Sequence, residues 1–362
     1  MLRKSAFFGL ALVLLTAACT GNGGGGDTYT GERPKTVCMV RTTPVKDCAD
    51  SPTDWLYAML ATIETEHLLV EDSVNLSPLF LERMLLEEEC QRIYLSGGQA
   101  AMNLRGLPGD AIELMNRRGV THYDAFHGTV NREVLTRKLE IAARQHGRRH
   151  AGMQAMMDAT SKLMDDSLHP AQTAVFWMGA EYTPQEFAHS VCMPDEYMAL
   201  TSVAYAPFGQ KISLPVGDSR TGEIFINQPL DKLMEQVENA ITTGHGVCWT
   251  GETGEQLFSW QQGMAMLADE RNTVTQEQRQ QALDRRPDGA LHSLELVGLA
   301  RTADGRKWFV GKDARGTGNA MGGMVCMSEN YVRAKTLAVW MSWKAYFKED
   351  NKTKTTGKTA VD

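Results

Sequence analysis

The chain has 362 residues and a formal net charge of −7 at neutral pH. Hydrophobic residues make up 43% of it and charged residues 22%, which is typical of an ordinary globular protein. The acidic balance argues against a nucleic-acid-binding protein, because such proteins carry a basic surface.

The first residues have the pattern of an export signal. A positive start at residues 3–4 is followed by an apolar run at residues 6–15 and by small residues that lead to Cys19. The pattern predicts a signal peptide over residues 1–18, and the apolar run is too short for a permanent membrane span. A cysteine at the cleavage site resembles a bacterial lipobox, which implies a lipid anchor on Cys19 at the outer membrane, the cell surface or the periplasm. Plain secretion with an unmodified Cys19 is the alternative.

The next residues predict a tether and then a helical region. Residues 19–34 are rich in glycine, which is typical of a flexible tether. From Asp54 to about Leu69 the apolar residues recur with a helical period, and Pro52 and Thr53 stand before it as a start signal. Three more helical regions are predicted, near residues 77–92, 110–118 and 131–164.

The C-terminal half changes character. Residues 294–299 and 307–310 are predicted to be short strands. Helices first and antiparallel strands later predict an α+β protein with two segregated lobes. The folded domain is predicted to span residues 35–347, and the polar tail, residues 348–362, is predicted to be disordered.

Six cysteines follow Cys19, and an exported protein can pair them in disulfides. They are Cys38, Cys48, Cys90, Cys192, Cys248 and Cys326. Fifteen pairings are possible, and free buried thiols are equally compatible with a chain of this size. No Cys-x-x-Cys pair or Cys/His spacing indicates a zinc site, and we predict no cofactor.

Several segments carry a family resemblance. Residues 44–58 read PVKDCADSPTDWLYA, residues 291–298 read LHSLELVG and residues 308–317 read WFVGKDARGT. In their order and spacing they are similar to the nucleophile, histidine and asparagine segments of the papain-like cysteine peptidases. TPQEF at residues 183–187 and GHGVCW at residues 244–249 resemble the bleomycin hydrolase / aminopeptidase C branch of that family. The resemblance implies a papain-like fold with a helical lobe, a β-rich lobe and a cleft between them.

The resemblance also implies a role for individual positions. Asp54, just ahead of Trp55, stands at the nucleophile position, and Cys48 stands six residues earlier at the position of the oxyanion-stabilising glutamine. His292 keeps the histidine of the family, whereas Asp313 replaces the asparagine that orients it.

Three further positions fall on the substrate groove. Arg315 replaces the tryptophan that shields the histidine and its partner in the family. Arg105 and Gly106 stand in place of a Gly-Gly pair that lines the groove, next to Trp55.

These replacements predict that the chain does not cut peptides. A cysteine peptidase needs a thiolate at a helix N-terminus and a histidine that accepts its proton. A carboxylate at position 54 is a much poorer nucleophile toward an amide, and loss of the oxyanion donor alone costs about 10²–10³ in rate. The function predicted is therefore binding of a peptide or of a protein partner at the cell envelope without hydrolysis.

Alternatives remain open at the level of sequence. The chain could be a working cysteine peptidase, with Cys48 as a displaced nucleophile toward His292. Asp54, His292 and Asp313 also have the residue types of an iron or manganese site. The simplest structural interpretation is a hydrogen-bonded cluster in which two acids stabilise the imidazolium and Asp54 is favoured by the helix dipole.

Overall fold

The computed structural model describes residues 29, 31–49, 51–254, 258–285 and 291–347. The predicted signal peptide, Cys19, most of the tether and the polar tail lie outside the described residues. The helices are α1 (Asp54–Leu69), α2 (Pro78–Leu95), α3 (Pro108–Arg118), α4 (Arg132–Arg149), α5 (Met153–Leu168), α6 (Pro184–Val191), α7 (Leu230–Thr242), α8 (Gln276–Asp284), α9 (Glu329–Lys335) and α10 (Trp343–Phe347).

The strands fall mainly in the second half of the chain. They are β1 (Lys35–Met39), β2 (Val175–Trp177), β3 (Ala180–Tyr182), β4 (Tyr197–Thr201), β5 (Lys211–Ser213), β6 (Ile224–Asn227), β7 (Val247–Glu252), β8 (Phe258–Ser259), β9 (Met264–Ala265), β10 (Leu291–Arg301), β11 (Lys307–Lys312), β12 (Met324–Ser328) and β13 (Thr336–Ser342).

Helix α1 is the central helix of the molecule. It has the bounds that the apolar period predicts, and its residues 54–65 are all buried. Thr53 precedes it at the N-cap position, but its hydroxyl donates to Ser51 Oγ at 2.8 Å instead of capping the helix. No side chain caps the first turn of α1, whose N-terminal dipole favours a negative charge, and Asp54 provides one there.

The other predicted helices are present, with one refinement. Residues 131–164 form two helices, because the chain leaves the helical region at His150, with φ 49°, and at Gly152, with φ 90°. Ser77 caps α2 by accepting a hydrogen bond from Phe80 N, and Gly119 ends α3 with φ 84°.

One large sheet carries the second lobe. Within the described residues its strand order is β5-β6-β4-β13-β7-β10-β11-β12-β9-β8, and β1 pairs with β10. The strands predicted at residues 294–299 and 307–310 lie in β10 and β11, which pair antiparallel with Leu299 opposite Phe309. The α+β class with a helical and a β-rich part is thus confirmed.

The two parts meet where α1 packs against β7 and β10. Two buried ion pairs lie at this junction, and the segment before α1 contacts both of them. Lys46 pairs with Glu64 of α1, and Lys312 Nζ lies 3.0 Å from Glu295 Oε2. Thr42 accepts from Lys312 and donates to Glu295, so each of these buried charges has a partner.

The six cysteines within the described residues all carry free thiols. No helix in the part of the chain that the structure describes is long and apolar enough to cross a bilayer.

Candidate functional site

The Asp54 carboxylate faces the sheet across the junction of the two lobes. Its Oδ2 atom lies 2.8 Å from His292 Nδ1 and accepts a hydrogen bond from Ser293 N at 2.5 Å. The backbone donor of Ser293 was not predicted from the sequence. It follows from the strand geometry, because Ser293 is the next residue of β10 after His292.

His292 is held on its other side by Asp313. Nε2 of the ring lies 2.8 Å from Asp313 Oδ2, and both side chains are buried. Asp313 directly follows β11, and the antiparallel pairing of β10 with β11 brings it to the ring. The structure thus brings Asp54, His292 and Asp313 together in one row, acid–imidazole–acid, which we call the triad.

The triad favours a charged imidazole. Burial alone would lower the pKa of His292, but the carboxylates of Asp313 and Asp54 and their hydrogen bonds to both ring nitrogens raise it to about 9. At neutral pH the ring is therefore an imidazolium that donates a proton to each acid, and it has no free nitrogen to accept one.

Cys48 lies on the loop before α1, beside the triad. Its backbone N–H donates to Ala314 O at 2.7 Å, and this bond joins the loop to the residue that follows Asp313. Burial raises the pKa of the Cys48 thiol strongly, and the charges of Asp54 and Asp313 raise it further. Within the described residues no thiol is hydrogen-bonded to the His292 ring, whose polar partners are Asp54, Asp313 and Arg315. The Cys48 thiol is therefore held in its protonated form.

A cavity of about 550 Å³ opens beside the triad. It is lined by residues of the loop before α1, of the 105–106 segment and of the β-rich lobe: Asp47, Cys48, Ala49, Ser51, Pro52, Asp54, Trp55, Arg105, Gly106, Asp218, Thr253, Trp260, Leu291, His292, Ser293 and Arg315. It therefore contains the positions that the sequence assigned to the groove.

Trp55 and Gly106 shape one wall of this cavity. Trp55 Nε1 donates to Leu104 O at 3.0 Å, which fixes the 104–106 segment against the indole. A Cβ atom at Gly106 would lie 2.6 Å from Trp55 Cζ2, so this close approach requires glycine. Arg105 projects from the same segment, and its guanidinium lies 3.9 Å from Asp218.

Arg315 lies on the opposite, β-rich side. Its guanidinium lies 5.5 Å from the ring centre of Phe258 and 6.0 Å from that of Trp260, and Nη2 is 3.4 Å from His292 Nδ1. Phe258 also meets His292 edge-on at 6.2 Å. Neither aromatic residue was found from the sequence, since no motif marks them; only their place ahead of the histidine strand could have drawn attention to them.

The geometry does not suit a metal ion. Asp54 and Asp313 bind opposite nitrogens of one ring, so their carboxylates lie on opposite edges of it and cannot converge on one ion. Among the described residues no group of three or more His, Cys, Asp or Glu side chains is arranged to hold a metal.

Comparisons with known proteins place the fold. No protein-family profile and no curated protein matches the chain. Among solved structures, PepW from Lactobacillus rhamnosis aligns with a TM-score of 0.64 and 15% identity, over 91% of this chain and 87% of its own.

Two further structures align less well. One is that of the mite allergens Blo t 1 and Der p 1, with a TM-score of 0.44 and 14% identity, over 87% of this chain and 72% of its own. The other is procathepsin L 3 of Tenebrio molitor, with a TM-score of 0.42 and 13% identity, over 87% and 72%. The chain has a papain-like cysteine peptidase fold, as the resemblance implies.

Proposed function

We propose that this protein binds peptides, or an extended segment of a protein partner, in the cavity beside the triad without cleaving them. We further propose that a lipid on Cys19 holds it at the bacterial cell envelope. The fold is that of a peptidase, and the proposal concerns what the replaced site residues leave of that activity.

One observation supports the loss of hydrolysis above all others. The group that faces the imidazole at 2.8 Å is the Asp54 carboxylate, where a cysteine peptidase requires a sulfur. Attack by a carboxylate on an amide would produce an anhydride, and Oδ2 is already engaged by His292 and by Ser293 N. The imidazolium carries a proton on each nitrogen and is paired with an acid on both sides, so neither nitrogen is available to accept a proton from a thiol.

The residue at the oxyanion-stabilising position also supports the loss of hydrolysis. Cys48 replaces the amide side chain that would donate to the developing charge, and a protonated thiol is a weak donor. Its Sγ atom lies 3.4 Å from Ala49 O, so even this donor points to the backbone. Lack of both nucleophile and oxyanion donor leaves binding as the activity that the cavity supports.

The test measures binding and cleavage on the same peptides. Fluorescein-labelled hexapeptide pools are incubated with the purified chain, binding is read as fluorescence polarisation, and products are sought by mass spectrometry. We expect saturable binding without products. The control is His189→Ala, since His189 is exposed. If the wild type and His189→Ala cleave the peptides and His292→Ala does not, the proposal is overturned in favour of a working peptidase.

A gain-of-function variant tests the reasoning from the other side. Asp54→Cys places a thiol beside His292 at the N-terminus of α1, where the dipole and the imidazolium lower a thiol pKa. We expect an epoxysuccinyl probe to label this variant and not the wild type, and Asp54→Cys combined with Cys48→Gln to gain slow hydrolysis. Labelling of the wild type at Cys48 that depends on His292 would contradict our assignment.

The anchor has its own test. We expect the wild type to incorporate radiolabelled palmitate in a bacterial host and to fractionate with membranes, and a Cys19→Ser variant to do neither. A wild-type chain found in the soluble fraction without label would leave plain secretion as the explanation.

A further inference from the structure

The Arg315 side chain differs from the other cations of the cavity in its lack of an acidic partner among the described residues. Three acids and three bases line the cavity: Asp47, Asp54 and Asp218, with Arg105, His292 and Arg315. Each acid already has a partner in the protein: Asp47 accepts from Ala49 N at 2.6 Å, Asp54 from His292 and Ser293, and Asp218 lies 3.9 Å from the guanidinium of Arg105.

The three bases differ in whether they have an acidic partner. His292 has two carboxylates and Arg105 has one, at the long distance of 3.9 Å. Arg315 forms no salt bridge with any residue in the described part of the chain. Its one side-chain polar neighbour there is His292 Nδ1 at 3.4 Å, and that nitrogen carries the proton donated to Asp54, so two donors face each other. The N–H groups of Arg315 are therefore available to a ligand.

The position of the guanidinium is also fixed in advance. Phe258 and Trp260 lie within 6.0 Å of it, so the cation has aromatic faces beside it and the imidazole of His292 at one end. Arg315 is half-buried and lines the cavity. A planar fork of donors held in this way matches a carboxylate, which accepts two parallel hydrogen bonds.

We propose that Arg315 recognises a carboxylate of the bound peptide and makes the cavity selective for peptides that carry one next to the triad. This inference rests on the proposed function, since it names the class of peptide bound at the same site. The carboxylate has two possible sources, the C-terminus of the peptide and a Glu or Asp side chain, and both present the same planar acceptor.

Matched peptide pools separate the two sources. The first pair of fluorescein-labelled hexapeptide pools lacks Asp and Glu and differs only in its C-terminus, a carboxylate or a carboxamide. The second pair is amidated throughout and differs only in one Glu or Gln at each position in turn. Polarisation is measured on the wild type, on Arg315→Gln and Arg315→Lys, and on Arg306→Gln as the control. Arg306 is an arginine of the same lobe that pairs with Asp304 at 2.8 Å and does not line this cavity.

We expect the wild type to bind one carboxylate pool about tenfold to a hundredfold more tightly than the matched carboxamide or Gln pool, as a charge-assisted hydrogen bond provides. Arg315→Gln should lose that preference, Arg315→Lys should keep part of it, and Arg306→Gln should keep all of it. Preference within the first pair assigns the C-terminus, and preference within the second pair assigns a side chain.

The results that would contradict this inference differ from those that would contradict the proposed function. If peptides bind the wild type with no preference for a carboxylate, or if folded Arg315→Gln keeps the preference, this inference fails and the proposed function stands. If no pool binds, the proposed function fails and this inference fails with it. Circular dichroism of each variant confirms that a lost preference is not lost folding.

Discussion

The imidazolium of His292 is expected to make the stability of the fold depend on pH. Its pKa is about 9 in the folded protein, against an ordinary value of 6.5. Since one pKa unit corresponds to about 1.4 kcal/mol, the triad contributes about 3 kcal/mol to the free energy of unfolding. The folded pKa is the higher of the two, so this contribution is complete below pH 6.5 and is lost as the pH rises toward 9.

A His292→Gln variant tests this contribution. Its free energy of unfolding, from urea titration followed by circular dichroism at pH 6 and at pH 9, should be lower than that of the wild type at pH 6. The difference between the two proteins should shrink by about 3 kcal/mol at pH 9, because the wild type has then lost the extra proton. Comparing the two proteins removes the titration of groups that they share, such as Glu223, whose pKa burial raises to about 8.

The control is His189→Gln, since His189 is exposed on α6. That variant should follow the wild type at both pH values. If His292→Gln loses as much stability between pH 6 and pH 9 as the wild type does, the imidazolium is not the source and the assignment of charge in the triad is wrong.

Three substitutions test the packing around the site by the same urea titration. Gly106→Ala should lower the free energy of unfolding by about 1–3 kcal/mol, since its Cβ would meet the Trp55 ring at 2.6 Å. Ala49→Gly should raise it by about 0.5–1 kcal/mol, because Ala49 has φ 50° and glycine adopts that region without strain. Lys46→Met should lower it by about 3–5 kcal/mol, because it leaves the Glu64 carboxylate buried without its cation.

Each of these has a result that would contradict it. Gly217→Ala is the control for the first, since no described residue lies within 4 Å of a Cβ there. Equal stability of both glycine variants would mean that the indole can move. A less stable Ala49→Gly variant would mean that the loop is not strained. Lys35→Met is the control for the third, because Lys35 is exposed. If both lysine variants lower the free energy of unfolding equally, the Lys46–Glu64 pair does not stabilise the fold.

The sequence predicted the elements whose signals are local. An apolar period and a start signal gave α1 its bounds, and the order of helices and strands gave the α+β class. The break between α4 and α5 was not predicted, because it depends on the left-handed conformations of His150 and Gly152 and the residues around them remain helix-compatible. The strand order was also beyond local patterns, since β13 lies between β4 and β7 in the sheet.

At the site, a resemblance between aligned segments was enough to choose Asp54, His292 and Asp313, which the structure brings into contact. It could not supply groups that reach the site from outside those motifs. Asp218 comes from a loop between β5 and β6, and Phe258 and Trp260 lie in and beside a two-residue strand. The place of these residues depends on tertiary packing, so only the folded structure brings Phe258 and Trp260 to Arg315 and Asp218 to Arg105.

Under the proposed function, charge explains how a nucleophile could be replaced here without loss of the fold. In a cysteine peptidase of this kind a thiolate at the start of the helix faces an imidazolium, and this ion pair lies between the two lobes. Asp54 places one negative charge at the same helix N-terminus, 2.8 Å from the ring, so an attraction between α1 and β10 is kept. A neutral residue there would leave the imidazolium with Asp313 alone. Under the proposed function, aspartate is therefore a replacement that removes the reactive sulfur and keeps the ion pair between the lobes.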